Sequence, residues 1–387
     1  MIRFRAPVKR QSAERYLLLM LVSFACSVVG TRVFLQLTGY PQVGNGVLHV
    51  AHVLWGGLLL FAATLLTIVF ANRWVYTLVA LSGGIGVGLF IDEVGKFITQ
   101  TNDYFFPFAA PIIYAFFLLS VLVYLQVRRP TKADARVELY YALEQVMELI
   151  ENDLDETELA DLEARLLRVI AVPQYPEQAR LAEALLAVLN SDTITISRTN
   201  PTLWQRFIGR VEKFEQRFLT ERRYRLILVG GLAFAGVSSL IELLLFSSAL
   251  FSPQVLEELV STLLLRSTSL NTPASVTWFL ILILLSGITG LMMVVGGALL
   301  FIGKAHFGSE ISFLGLLIAL TTVNLLLFYF NQFAAVGTTL WEFALLVALL
   351  RYRLVYLGIG SRINTLSELA NRPSLVENLM KGKNLGA

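Results

Sequence analysis

The sequence predicts an all-α, polytopic integral membrane protein with eight transmembrane helices and a helical insert on the cytoplasmic side. Hydrophobic residues make up 56% of the chain and its mean hydropathy is +0.67, which makes it more apolar than a typical soluble domain. Only 15% of the residues are charged, against about a quarter in soluble domains, and they are concentrated between residues 128 and 225. Eight long apolar segments complete the pattern, so we expect a lipid bilayer to surround much of the chain.

Each of these segments supplies the roughly 20 mostly apolar residues that a helix needs to cross a bilayer. We number them spans 1 to 8, and they cover residues 16–38, 47–71, 75–98, 107–127, 224–250, 275–302, 309–331 and 334–356. Span 1 follows a basic N-terminus and is too long for the apolar core of a secretory signal, which favours a retained helix. Spans 7 and 8 are nearly continuous, so their boundary is the least sharply marked.

The positions of the basic residues predict the orientation, because Lys and Arg in short loops favour the cytoplasmic side. With the N-terminus inside, the basic residues of the N-terminal segment, the turn between spans 2 and 3, both flanks of the insert and the end of span 8 are all cytoplasmic. Arg266 is the clear exception on the outer side. We therefore expect a first transmembrane half (1–130), a cytoplasmic insert (131–220), a second half (221–357) and a cytoplasmic tail (358–387).

Four spans on each side of an insert suggest an internal duplication, with parallel repeats because each half has an even number of spans. The segment Leu89-Phe90-Ile91-Asp92-Glu93 of span 3 would correspond to Phe328-Tyr329-Phe330-Asn331-Gln332 of span 7. In that pairing, the second half carries amides where the first half carries carboxylates. Chance similarity between apolar helices is the alternative explanation.

The insert carries apolar residues at helical spacing, for example Leu159, Leu162, Leu166 and Ile170, and predicts three or four short helices. Acidic residues are dense between 144 and 163, but no glycine is present to form an EF-hand loop. We interpret them as a solvated helical face. The insert could bind a cytoplasmic protein partner, or it could join the two membrane halves.

Other functional classes are constrained by charge and cysteine content. The net charge of +3 gives no argument for nucleic-acid binding. Cys26 is the only cysteine, which excludes intrachain disulfides and Cys-based metal sites. The sequence identifies no cofactor and does not indicate the oligomeric state.

Along one predicted face of span 3, two glycines are followed by two charged residues. Gly84, Gly88, Asp92 and Lys96 are four residues apart and fall on one helix face if the helix is continuous. The glycines would let a neighbouring helix approach closely. Asp92 and Glu93 are both within reach of Lys96 along such a helix.

Spans 1 and 2 bring further polar residues to the same depth, near the extracytoplasmic face. Ionisable groups inside a span cost at least about 2.5–3.5 kcal/mol near its centre, so they are candidate functional residues. The predicted ligand-binding cluster comprises Arg32, His49, His52, Asp92, Glu93 and Lys96. Three spans thus contribute charge at one level, and this coincidence is the most informative feature of the sequence.

Several interpretations of the cluster remain open. Two histidines and a carboxylate (His49, His52 and Asp92) resemble a zinc or iron set, although Arg32 and Lys96 would repel a cation. A membrane-embedded hydrolase would use His and Asp as acid–base groups, but no serine motif accompanies them. A substrate or proton pathway also places charges between packed helices. The remaining interpretation is a structural network of ion pairs that joins spans 1 to 3.

The first half contains two distinctive motifs, HVAHVLWGG (49–57) and GLFIDEVGKFIT (88–99), followed by NDYFF (102–106). They resemble a family of bacterial multi-pass membrane proteins that has no established activity. The resemblance covers about the first 125 residues. It implies a bacterial cytoplasmic-membrane location and assigns no catalytic residue.

Three functional hypotheses follow. The first is an outward-facing polar site in spans 1 to 3 that binds a small polar or ionic ligand, with transport as its use. The second is a membrane-embedded metalloenzyme at the outer leaflet. The third is a membrane-anchored interaction or sensory protein that acts through the insert. The absence of a recognisable catalytic motif favours a protein that is not an enzyme.

Overall fold

The computed structural model describes residues 6–39, 51–104, 106–129, 134–150, 154, 156–171, 176–190, 220–250 and 273–358. Within these ranges the secondary structure is helical, with no strand. The helices are α1 (Ala13–Thr38), α2 (His52–Val69), α3 (Arg73–Asp92), α4 (Val94–Ile98), α5 (Ala109–Arg128), α6 (Ala135–Ile150), α7 (Glu156–Ile170), α8 (Pro176–Leu189), α9 (Glu221–Leu250), α10 (Pro273–Ile302), α11 (Ala305–Ile318), α12 (Asn324–Phe330) and α13 (Gln332–Val355). A π-helical turn, Ala319–Val323, joins α11 to α12.

Eight of the described helical segments are long and apolar enough to cross a membrane, which confirms the predicted all-α, polytopic fold class. They are α1, α2, α3, α5, α9, α10, the continuous α11–α12 segment and α13. Spans 7 and 8 are two separate helices. Asn331 leaves helical geometry between them, and its side chain accepts a hydrogen bond from the Ala334 amide, so it is the N-cap of α13.

Span 3 is shorter than expected. The sequence predicted one helix over 75–98, but α3 ends at Asp92, and Glu93 adopts φ −89° and ψ 10°. A separate short helix, α4, follows. The predicted continuous stripe from Gly84 to Lys96 is therefore wrong beyond Asp92, because the helical spacing on which it depends ends there.

The chain folds as two units, and the first contains residues 1–94 and 116–211. In its membrane part, α3 packs on both α1 and α2 through glycines. A Cβ atom added to Gly88 would lie 2.6 Å from the Ser27 Cβ of α1, and one added to Gly56 of α2 would lie 2.8 Å from the Gly86 carbonyl oxygen. The close approach expected at Gly88 is confirmed, and Gly56 makes a similar one between α2 and α3. These contacts fix the relative positions of the three helices that carry the candidate site.

Two adjacent glycines of α3 provide a direct test of this packing. We expect Gly84→Ala to lower the free energy of unfolding by about 1–3 kcal/mol, because its Cβ would overlap the Met20 carbonyl and approach the Ser23 Cβ to 2.7 Å. Gly83→Ala is the matched control: its Cβ meets no atom within 4 Å, so we expect no loss. Unfolding in mixed detergent micelles measures both. Equal effects of the two substitutions would contradict the packing.

The described part of the insert forms three short helices, where the sequence predicted three or four for the whole insert. Helices α6, α7 and α8 share a core of buried apolar residues that includes Leu139, Leu154, Leu162, Leu166 and Leu189. Arg165 of α7 forms ion pairs with Asp161 of the same helix at 2.8 Å and with Glu138 of α6 at 3.2 Å, and the second pair joins the two helices.

The acidic face of α6 differs from the expectation of a purely solvated surface. Glu144 contacts Arg10 at 3.4 Å and accepts a hydrogen bond from the Gln11 amide. Glu148 forms an ion pair with Arg73, which begins α3. The N-terminal segment, the turn before α3 and the insert therefore lie on one side of the first unit, as the basic-residue pattern predicted. The assignment of that side to the cytoplasm stays a prediction.

Reversing the charge of Glu148 tests this attachment. We expect Glu148→Arg to speed amide hydrogen exchange in α6 a few-fold, because Arg73 would then face a like charge. The double variant Arg73→Glu with Glu148→Arg should restore most of the protection. Glu177→Arg, on exposed α8 surface, is the control and should change nothing in α6. Failure of the double variant to recover would contradict a direct pairing.

The second unit contains residues 95–115 and 212–387. Its central helix is α10, which packs on α9 through Gly236 and Gly290 and on α11 through Gly296 and Gly308. A buried apolar core around Leu232, Leu300, Leu316 and Leu349 holds these helices to α13.

The duplication stays a prediction. Both segments of the proposed pairing end a helix, α3 at Asp92 and α12 just before Asn331. The packing order differs, however. In the first unit span 3 packs against spans 1 and 2, whereas in the second unit span 6 packs against spans 5 and 7. Span 6 would correspond to span 2 in the predicted repeat.

Candidate functional site

The candidate site lies where the ends of three helices meet in the first unit. Arg32 is in the last third of α1, His52 is the first residue of α2, and Asp92 is the last residue of α3. Glu93 follows at the point where the backbone leaves helical geometry. The structure brings these four predicted residues together at one end of the three spans.

Asp92 is the centre of the cluster. Arg32 Nε donates a hydrogen bond of 2.6 Å to Asp92 Oδ1, and His52 Nε2 lies 3.2 Å from Asp92 Oδ2. The other ring nitrogen, His52 Nδ1, lies 3.0 Å from Glu93 Oε1. The His52 imidazole therefore lies between the carboxylates of Asp92 and Glu93, and the Asp92 carboxylate contacts both Arg32 and His52.

Asp92 and Glu93 lie at the end of α3, where the backbone leaves helical geometry. Their carboxylates reach opposite nitrogens of the same imidazole ring. The helix break that the sequence did not predict therefore lies at the site.

Burial differs between the acidic and the basic members. Asp92 and Glu93 are 0% and 2% exposed, whereas the side chains of Arg32 and His52 are 12% and 21% exposed. The basic groups cover the carboxylates and form the accessible side of the cluster. Buried carboxylates in a membrane protein require such partners, because desolvation of an isolated charge costs several kcal/mol.

Both ring nitrogens of His52 face carboxylate oxygens. The cluster therefore combines two basic side chains, Arg32 and His52, with two acidic ones, Asp92 and Glu93.

The other two predicted members are His49 and Lys96. His49 lies outside the described residues. Lys96 is on α4 and belongs to the second unit, where its ammonium lies 5.3 Å from the centre of the Tyr104 ring. Its predicted helical spacing from Asp92 does not apply, because α3 ends between them.

The metal interpretation gains no support from the described residues. Among them, no group of three or more His, Cys, Asp or Glu side chains is arranged to hold a metal ion. Both nitrogens of His52 already face carboxylates, and Arg32 adds a positive charge next to Asp92. The proposed set of His49, His52 and Asp92 as a whole is not described, because it includes His49.

Sequence reasoning missed a second polar cluster, which lies in the second unit. Asn324 lies in span 7 and Glu342 in span 8. Their side chains are joined by a buried hydrogen bond of 2.7 Å, and Tyr114 of span 4 lies against them. The carboxylate within span 8 was the signal for this cluster. Nothing in the sequence pattern connects Tyr114 to it.

Comparison with known proteins gives no match to a protein-family model, a curated protein or a solved structure.

Proposed function

We propose that this integral membrane protein binds a small polar or ionic ligand at the cluster of Arg32, His52, Asp92 and Glu93, as a step in transport. The observation that carries the proposal is the imidazole of His52 bracketed by two buried carboxylates. Its location in a bacterial cytoplasmic membrane, with both termini in the cytoplasm, is part of the proposal. So is membership of the family that the motifs of the first half resemble.

The chemistry of the four side chains suits reversible binding of a ligand or proton better than a purely structural ion-pair network. Histidine changes charge between about pH 5 and 8, so it can gain or lose a proton under cellular conditions. Two buried carboxylates here face one guanidinium and one imidazole. The partly exposed Arg32 and His52 are the groups that a small polar or ionic ligand reaches first.

Proton flux is the first measurement, because it does not require the identity of the small polar or ionic ligand to be known. In proteoliposomes with an internal pH dye and an imposed membrane potential, we expect flux well above that of protein-free vesicles. His52→Gln should reduce the flux about a hundredfold or more, in the range that removal of an acid–base group produces. His306→Gln, at an exposed position, is the matched control. Equal flux in wild type and His52→Gln would count against the proposal.

A second candidate function is sensing or partner binding through the insert. The favouring observation is that α6 is attached to the membrane half at Arg10 and Arg73. Arg73 begins α3 and Asp92 ends it, so α3 connects the insert to the polar cluster across about 30 Å of helix. This hypothesis expects deletion of residues 131–220 to abolish function, while neutralising Asp92 and Lys96 together does not.

A further inference from the structure

A second buried polar cluster lies in the second unit, where α5, the π-helical turn and α13 meet. Its members are Tyr114 of α5, Leu320 of the π-helical turn, Asn324 at the start of α12, and Thr339 and Glu342 of α13. Spans 4, 7 and 8 each contribute to it. None of these residues belongs to the site proposed above.

Glu342 gives this cluster its charge. The residue is 7% exposed, and its Oε2 accepts a hydrogen bond of 2.7 Å from Nδ2 of Asn324, which is fully buried. Within the described ranges, no basic side chain forms an ion pair with Glu342. A carboxylate inside a membrane span is costly unless a cation or a proton neutralises it. The cluster therefore lacks the positive charge that the first site has in Arg32 and His52.

The surrounding atoms are oxygens. Tyr114 donates a hydrogen bond of 2.5 Å to the Leu320 carbonyl, and the Thr339 hydroxyl lies beside that of Tyr114. Oδ1 of Asn324 is buried and has no hydrogen-bond partner among the described residues. Together with Glu342, these groups form the type of donor set that hard cations prefer.

The local backbone supports a binding role. A π-helical turn within a transmembrane helix changes the regular pattern of carbonyl hydrogen bonds, and such turns are frequent at functional sites. In membrane transporters, irregular helix backbone beside a polar group at membrane depth commonly binds the coupling ion. Here the irregular turn, Ala319–Val323, directly precedes Asn324 and contains the carbonyl that Tyr114 contacts.

We propose that the cluster of Tyr114, Asn324 and Glu342 is a binding site for a small monovalent cation, an alkali-metal ion or a proton, with Glu342 as the exchanging group. Tyr114 is the titratable side chain that faces Glu342 from α5, and Asn324 faces it from α12 as a neutral amide. Glu242 on α9 is exposed. The second unit thereby acquires an ion site of its own.

The test uses full-length protein in lipid nanodiscs and two titrations. In one, sodium replaces choline at constant pH and ionic strength; in the other, the pH is lowered in choline alone. We expect one of them to raise the Tm by about 5 °C, as binding of a ligand well above its Kd does. Infrared difference spectra should show a carboxylate band change in the same titration. The responding titration identifies the cation as sodium or as a proton.

Glu342→Gln should abolish the rise in Tm and the infrared change in the responding titration. Glu242→Gln, which changes an exposed carboxylate of the same unit, should retain both signals. If Glu342→Gln does not fold, Asn324→Ala provides the second test, with an expected shift of about tenfold in the midpoint concentration. The proposal is overturned by wild-type protein that responds to neither titration. It is also overturned if Glu342→Gln responds as wild type does, or if the midpoint concentration of Asn324→Ala equals that of wild type.

Discussion

Asp92→Ala is expected to lower the free energy of unfolding by about 3–5 kcal/mol, the range observed when one partner of a buried ion pair is removed. Asp92 is fully buried and is the carboxylate that Arg32 and His52 share. Its removal leaves two basic groups in an apolar environment with Glu93 as the remaining acidic member. We also expect proton flux to fall to the level of protein-free vesicles.

The measurement is equilibrium unfolding in mixed micelles, with Glu242→Ala as the control. Glu242 is also a carboxylate within a span, but it is exposed at the surface of α9, so its loss should not destabilise the protein. Asp92→Asn separates size from charge, because it retains the shape and removes the negative charge. A loss below about 1 kcal/mol for Asp92→Ala, within the range of surface ion pairs, would show that the cluster is solvated.

The membrane class, the number of spans and the helical insert could be predicted because they depend on composition and periodicity. Bilayer thickness sets a minimum helix length, and hydrophobic content is summed over many residues. Local departures from regular helix geometry could not be predicted in this way. The break at Glu93 and the π-helical turn at Ala319–Val323 involve a few backbone angles each, and neither contains a glycine or proline.

The candidate site was predictable in part for the same reason. Arg32, His52 and the acidic pair stand out as ionisable residues near span ends, so their shared depth could be read from the sequence. Which of them touch depends on helix packing and on the break at Glu93. Lys96 was grouped with Asp92 because a continuous helix was assumed. Tyr114 was missed because a tyrosine in an aromatic-rich span is unremarkable until its partner in span 7 is known.

Replacing the whole cluster distinguishes a structural network from a functional one. We expect the quadruple variant Arg32→Met, His52→Leu, Asp92→Leu and Glu93→Met to be as stable as wild type, or more stable by about 1–4 kcal/mol. Apolar replacement of a complete buried ion-pair network removes the desolvation cost together with the attraction. The same variant should lose proton flux entirely, since no titratable group remains in the cluster.

The two readings of the cluster predict different combinations of these results. A network retained for function gives a stable quadruple variant that is inactive, alongside an unstable Asp92→Ala. A network that maintains the arrangement of α1, α2 and α3 gives a quadruple variant that loses stability or uniform folding while the flux per folded molecule is unchanged. Because Asp92 and Glu93 are shielded by Arg32 and His52, whose side chains are partly exposed, the geometry favours the first combination. Unfolding and flux measured on the same preparations decide between them.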